Sequence, residues 1–188
     1  MAEAGMVSVT GIDASQDAIA FATAHWGHTP GVNFQHASLA AFLPSLKAAF
    51  DGIVCFGLSE YVPDAGALLQ GIAQSLKPGS LLIASFPNGS AQILDDPGHV
   101  RHFLEPDLRA LFAEANGWDR VALLGQWPDG TIDWNLMAMQ YLVIARRRQD
   151  ARDAQCDDSW GAMLAKHIPF RVPTIQSLQG ENPVIETR

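Results

Sequence analysis

Apolar and polar positions alternate along this chain in two rhythms, and each rhythm marks a different element. Val7 to Ile12 is an apolar run that closes on an acid, Asp13, as a strand does. Ser15 is placed to cap a following helix, Asp17 favours its N-terminal dipole, and Ile19, Ala22 and Trp26 share one face. Past the turn signal Pro30-Gly31, the residues Val32, Phe34 and His36 alternate with polar neighbours, which predicts a half-exposed strand. Pro44 divides the next segment, SLAAFLPSLKAAF, into a loop and a short helix, because an interior proline removes a backbone donor. Gly52 to Phe56 (GIVCF) is continuously apolar, which predicts a central strand covered on both faces.

The second half repeats the alternation. Asp64 can cap a helix whose apolar set is Leu68, Leu69, Ile72 and Leu76, with Lys77-Pro78-Gly79 as its stop. A strand is predicted over Leu81 to Phe86 and a helix from Pro106 through Leu108, Leu111, Phe112 and Ala115 to the Asn116-Gly117 stop. Val121 to Leu124 and Tyr141 to Ala145 complete the strands. Strands alternating with helices predict an α/β fold with a doubly wound, mostly parallel sheet, whose ligands bind beyond the carboxyl ends of the strands. Residues 1–148 form this domain, and 149–188, polar and then proline-bearing without a clear period, read as a C-terminal tail or arm. In that arm Trp160, Met163, Leu164 and Ile168 could form an amphipathic set.

Composition narrows the picture. The 188 residues are 48% hydrophobic and carry a formal net charge of -8, which suits a globular core and disfavours nucleic acid or an anionic membrane as partner. Arg146, Arg147 and Arg148 are the one basic cluster and read as a solvated strand end. Cys55 and Cys156, far apart and outside any CxxC, imply a reducing compartment. With no apolar run near the roughly 20 residues of a membrane helix and no signal-like start, the expectation is a cytoplasmic protein.

Four stretches resemble the class I S-adenosylmethionine-dependent methyltransferases, in particular the small-molecule enzymes of types 11 and 23. They are VTGIDASQDAIAFA (9–22), FDGIVCFGLSEYVPD (50–64), LKPGSLLIASFPN (76–88) and GHVRHFLEPDLRALFAEANGW (98–118). The resemblance implies a Rossmann-like methyltransferase domain with S-adenosylmethionine as cofactor. It places Asp13 on the ribose hydroxyls, Ser38 and Leu39 near the adenine, and Phe56 and Gly57 beside the methyl and sulfonium region. Glu60, Tyr61 and Asn88 become the substrate-side candidates. Where relatives show an acid followed by His-Val, this chain has Glu60-Tyr61-Val62.

Against the family pattern, the domain reads as N-terminally incomplete, lacking the first strand, the Gly-rich loop and most of the first helix, about 25 to 35 residues. Three outcomes are then open: a shortened form of a longer product, a strand donated by a protein partner or second copy, or direct closure of the neighbouring strands. Methyl transfer needs alignment of the nucleophile and exclusion of water, with a general base only for a hydroxyl acceptor. His99 and His102 are the candidates for that base, against a reading as loop histidines bonded to backbone or to Asp95 and Asp96. Their H-x-x-H spacing also permits a metal, but no third ligand stands out. Trp118, Trp127 and Trp134 either line an apolar acceptor pocket or are core. The reading is therefore methyl transfer to a small-molecule acceptor, at oxygen. The alternatives are a noncatalytic methyltransferase-like subunit or truncated form unable to bind cofactor alone, and, less favoured, a nicotinamide enzyme.

Overall fold

The computed structural model describes residues 8–43, 46–91 and 98–149. The chain divides into two compact units, Met1–Lys47 and Ala48–Arg188.

In the first unit, β1 (Val9–Asp13), α1 (Gln16–Trp26), β2 (Val32–His36) and α2 (Leu39–Phe42) make a βαβ crossover with a short helix after it. β1 and β2 pair in parallel from Val9 opposite Val32 to Asp13 opposite His36. Ser15 caps α1, its Oγ accepting from the Ala18 N–H at 3.2 Å. Gly11 leaves room for the Phe34 ring on the neighbouring strand, since a Cβ there would lie 2.7 Å from the ring. No residue of α1 is buried; Ile19 and Ala22 are half-buried as expected, while Trp26 turns outward. There Trp26 joins Phe21 and His25 in a surface aromatic cluster, the Phe21 and His25 rings stacked at 3.9 Å. α2 stops at Phe42, ahead of Pro44, as the missing proline donor requires.

The second unit is built on a five-stranded sheet ordered β3-β4-β7-β5-β6. Its strands are β3 (Phe50–Cys55), β4 (Leu76–Pro87), β5 (Trp118–Gln126), β6 (Ile132–Asp133) and β7 (Gln140–Arg147), with helices α3 (Ala65–Ser75) and α4 (Glu105–Leu111). β3 and β4 run parallel, and the other three pairings are antiparallel. The α/β reading holds, with the parallel arrangement confined in this unit to the β3-α3-β4 crossover. α3 is capped where the sequence predicts it, Asp64 Oδ1 accepting from Ala67 N–H at 2.9 Å, and it buries Leu68, Leu69 and Ile72. The Lys77-Gly79 turn follows α3 directly but lies inside the long β4, where Gly79 takes φ 82 and the β3 register shifts between Phe50 and Gly52. α4 starts at the Pro106 turn and ends at Leu111, sooner than predicted; a separate 3-10 turn, Glu114–Asn116, and Gly117 at φ 90 follow.

The core lies under β4 and β7. Leu82, Ala84 and Phe86 on β4 and Tyr141 to Ala145 on β7 are all buried, each large side chain contributing about 1.5–3 kcal/mol by leaving water. Phe86 meets Phe103 and Phe112 edge-on at 5.1 and 5.7 Å, and Phe112 leans on Trp118. Trp118 is therefore core, whereas Trp134 is exposed.

Two expectations are corrected. β3 is not central: among the described residues it pairs with β4 alone, and Val54 and Phe56 are exposed. Its apolar run is only half-buried or exposed along its length. Of the three arginines, Arg148 is exposed just past the strand end as expected, but Arg146 and Arg147 are not simply solvated. Arg146 is mostly buried and pairs with Asp119 on the neighbouring strand at 2.6 Å. Arg147 donates to the carbonyls of Gln74 and Leu76, closing the C-terminal end of α3, and Arg148 reaches the Glu114 carbonyl. Of the predicted C-terminal arm, only Gln149 lies within the described residues; Cys156, Trp160, Met163, Leu164 and Ile168 lie outside them, as do Asp95 and Asp96.

Candidate functional site

In the first unit, the tip of β1 carries Asp13, exposed and held by its own loop: Oδ1 accepts from the Ser15 N–H at 2.7 Å. The loop is tied to β2 by the Ala37 N–H on the Asp13 carbonyl and by His36 Nε2 beside the Ala14 carbonyl at 2.9 Å. Ser38 spends its hydroxyl on capping α2, accepting from Ala41 N–H at 3.3 Å, and half-buried Leu39 is the first residue of that helix.

The second unit gathers the rest of the predicted residues at one end of its sheet. Cys55 is opposite Ala84 and Pro87 opposite Gln140, so the tip of β3, the end of β4 and the start of β7 share that end. Phe56 is exposed there. Gly57 takes φ 59 and donates its N–H to Ser85 Oγ at 3.0 Å. A Cβ at Gly57 would find only Glu60 Oε1, at 3.9 Å, so the backbone is open to close approach on that side. Glu60 is only 5% exposed, and Ser59 Oγ lies between Glu60 Oε2 at 3.2 Å and the Ser85 carbonyl at 3.1 Å. Burial, and then the Glu60 charge, push the Cys55 thiol up to about 11.

The 98–104 loop reaches this end as well, through Val100 N–H on the Glu60 carbonyl at 2.8 Å. Tyr61 meets His99 edge-on at 5.2 Å, and His99 meets His102 at 5.7 Å, so the three rings form a row beside Glu60. Arg101 anchors the same loop by donating to the Pro63 carbonyl and lies over the Phe103 ring. Asn88 is fully buried, its amide donating to the carbonyls of Leu136 and Ala138 and its Oδ1 accepting from Ser90 N–H. Among the described residues no three His, Cys, Asp or Glu side chains converge as metal ligands. Sequence reasoning overlooked Ser59, Ser85 and Arg101. The available signal was their position at strand ends and in the loop already singled out.

Comparison with known proteins points the same way over part of the chain. Residues 1–79, which span β1 to the start of β4, match a methyltransferase domain family. A ubiquinone biosynthesis O-methyltransferase of Paracidovorax citrulli is 32% identical over 87 residues, 45% of this chain and 37% of that protein. Over this part the chain is similar to S-adenosylmethionine-dependent methyltransferases. It spans little more than a third of the length of that curated relative. Solved methyltransferases share the fold. One from Archaeoglobus fulgidus gives a TM-score of 0.58 at 19% identity, with 73% of this chain and 75% of that one covered. One from Haloferax volcanii, solved in complex with the Trm112 methyltransferase activator, gives 0.60 at 16% identity, covering 77% and 73%.

The similarity to S-adenosylmethionine-dependent methyltransferases implies S-adenosylmethionine as cofactor. Within their own units the residues fit parts of that molecule: an exposed carboxylate at a strand tip suits ribose hydroxyls, and the open backbone at Gly57 suits close approach of a ligand. Among the described residues no helix is long and apolar enough to cross a membrane.

Proposed function

We propose that this chain transfers a methyl group from S-adenosylmethionine to a hydroxyl oxygen of a small molecule in the cytoplasm. The observation that carries the reading is the tip of β3. There Gly57 at positive φ opens the backbone, and the 98–104 loop, bonded to the carbonyl of buried Glu60, carries the His99 and His102 rings in a row with Tyr61, at the carboxyl end of a parallel strand. An oxygen acceptor is supported by the relative, a ubiquinone biosynthesis O-methyltransferase.

When bound, S-adenosylmethionine supplies a methyl group made electrophilic by its sulfonium. The chain's own residues then divide the work. In the first unit Asp13 would accept hydrogen bonds from ribose hydroxyls, with Ser38 and Leu39 on the adenine side; within the second unit, Phe56 and Gly57 would border a sulfonium group. Glu60 and Tyr61 face the acceptor. A neutral imidazole of His99 or His102 takes the hydroxyl proton as the oxygen attacks, and releases it to water afterwards.

Calorimetry with S-adenosylhomocysteine tests the reading. Asp13→Ala should weaken binding by about 1.5–3 kcal/mol, the loss of a charged hydrogen bond. His99→Ala and His102→Ala should lower methyl transfer to a small-molecule hydroxyl acceptor at unchanged S-adenosylhomocysteine affinity. No heat at millimolar ligand would overturn it.

One observation favours a second reading, in which the chain is a methyltransferase-like subunit completed by a partner protein or a second copy. β3 pairs on one flank only among the described residues and leaves Val54 and Phe56 exposed on that strand and its tip. A structural neighbour solved in complex with an activator protein supports a partner of this kind. A monomer in solution that binds S-adenosylhomocysteine would reject this second reading.

A further inference from the structure

Glu60 sits buried in the 3-10 turn Ser59–Tyr61 that follows β3, and its two carboxylate oxygens meet different surroundings. Oε2 lies 3.2 Å from the Ser59 hydroxyl, which also reaches the Ser85 carbonyl at 3.1 Å. Oε1 looks onto Gly57. An atom standing where a Cβ would stand at Gly57 is 3.9 Å from Oε1, and beyond the adjoining residues no other described atom comes within 4 Å of it. The glycine backbone and the carboxylate thus border the same open space.

Both are held from one residue of the sheet. Ser85 lies on β4, which is hydrogen-bonded to β3 on one side and to β7 on the other, with Ala84 opposite Cys55 and Ser85 opposite Leu142. Its buried hydroxyl accepts from the Gly57 N–H at 3.0 Å, and its carbonyl shares the Ser59 hydroxyl with Glu60. The Glu60 main chain is fixed as well, because its carbonyl accepts from Val100 N–H at 2.8 Å and Tyr61 N–H closes the turn on the Leu58 carbonyl at 3.0 Å. A negative charge withdrawn from water and bordering open space attracts a cation more strongly than an exposed one does, since less solvent screens the pair. The charge is already felt at the strand tip, where it adds to the burial that keeps the Cys55 thiol protonated.

We propose that Glu60 selects a cationic ligand group over the Gly57 backbone, the sulfonium of S-adenosylmethionine, and that Ser85 is the positioning residue that holds carboxylate and backbone in that arrangement. The inference deepens the methyltransferase reading and rests on it. When the methyl group passes to the acceptor oxygen, the bonding electron pair stays on sulfur and leaves a neutral thioether. The same carboxylate therefore holds the cofactor and loosens its product.

Calorimetry of the full chain with S-adenosylmethionine and with S-adenosylhomocysteine tests this, because the two ligands differ in one methyl group and its charge. Glu60→Gln, isosteric but neutral, should weaken S-adenosylmethionine binding about tenfold and leave S-adenosylhomocysteine within about twofold. Ser85→Ala should shift the ratio of the two affinities the same way by about threefold, and Ser85→Thr, which keeps the hydroxyl, should restore it. A merely structural role would lower both affinities together. Selectivity unmoved by Glu60→Gln overturns the inference, and an equal loss of both ligands in Ser85→Ala overturns the positioning role. Should Ser85→Ala fail to fold, Ser59→Ala decides that role by the same ratio. Heat with both ligands but no change of ratio in any variant sinks the inference alone, whereas no heat with either in the wild type sinks the methyltransferase reading and the inference with it.

Discussion

Two glycine-to-alanine replacements in the same sheet should change stability with opposite signs, and the structure supplies both magnitudes. Alanine restricts the unfolded chain relative to glycine, which stabilises by about 0.4–1 kcal/mol wherever the native backbone and surroundings accept a methyl group. At Gly52 on β3 the nearest atom to a new Cβ is the Leu81 carbonyl oxygen at 3.7 Å, an ordinary contact, so only the gain remains. At Gly125 on β5 the same atom would lie 2.0 Å from Asn135 O and 2.8 Å from Ala138 Cβ. More than about 1 Å must be recovered to reach a normal carbon–oxygen contact. The obstructing atoms belong to backbone held by Asn88, Asp133 and Asn135, so no flexible side chain can swing away. Overpacking of this kind costs about 1–3 kcal/mol, and displacing that backbone weakens two hydrogen bonds worth about 0.5–1.5 kcal/mol each. Gly125→Ala should therefore destabilise by about 2–3 kcal/mol net of the entropic gain. Urea unfolding followed by tryptophan fluorescence measures both variants in one cooperative unit, provided m is unchanged. A Gly125→Ala midpoint at or above that of wild type would refute the steric argument and the placement of Asn135 and Ala138 over Gly125.

Alkaline titration tests the Cys55 environment. The folded thiol stays protonated up to about 11 while the unfolded one ionises near 9.0, so stability should fall as pH rises from 9.0 towards 11, by up to about 2 kcal/mol. Cys55→Ala should lose less over that range, and identical pH profiles for the two proteins would contradict the burial. At the β5–β7 pair, Asp119→Ala leaves Arg146 mostly buried without its partner and should cost about 1–2 kcal/mol in a denaturant titration; a loss under about 0.3 kcal/mol would show the pair to be solvated.

The elements of this chain were legible because their causes are local. Ser15 and Asp64 stand one residue or so ahead of their helices with hydroxyl and carboxylate free to accept, and each does cap. Leu68, Leu69 and Ile72 recur at helical spacing and are buried together. β6 was missed because two residues, Ile132–Asp133, carry no period at all.

The candidate site was legible to the extent that it lies at strand tips. Asp13 ends an apolar strand and Gly57 follows another, and both positions can be read in order along the chain. Partnerships across the sheet could not be read that way. Nothing adjacent to Arg146 names Asp119, 27 residues earlier, and nothing near Asn88 names the carbonyls of Leu136 and Ala138, 48 and 50 residues later. The continuous apolar run of β3 looks the same in sequence whether one or two strands flank it, and Trp118 and Trp134 differ only in what folds over them. Local spacing and capping chemistry determined the helices, most of the strands and the acid at the first strand tip. Which side chains are buried, which charges are paired and which loop faces the site were decided by contacts between segments far apart in the chain, because burial and hydrogen-bond satisfaction belong to the packed molecule.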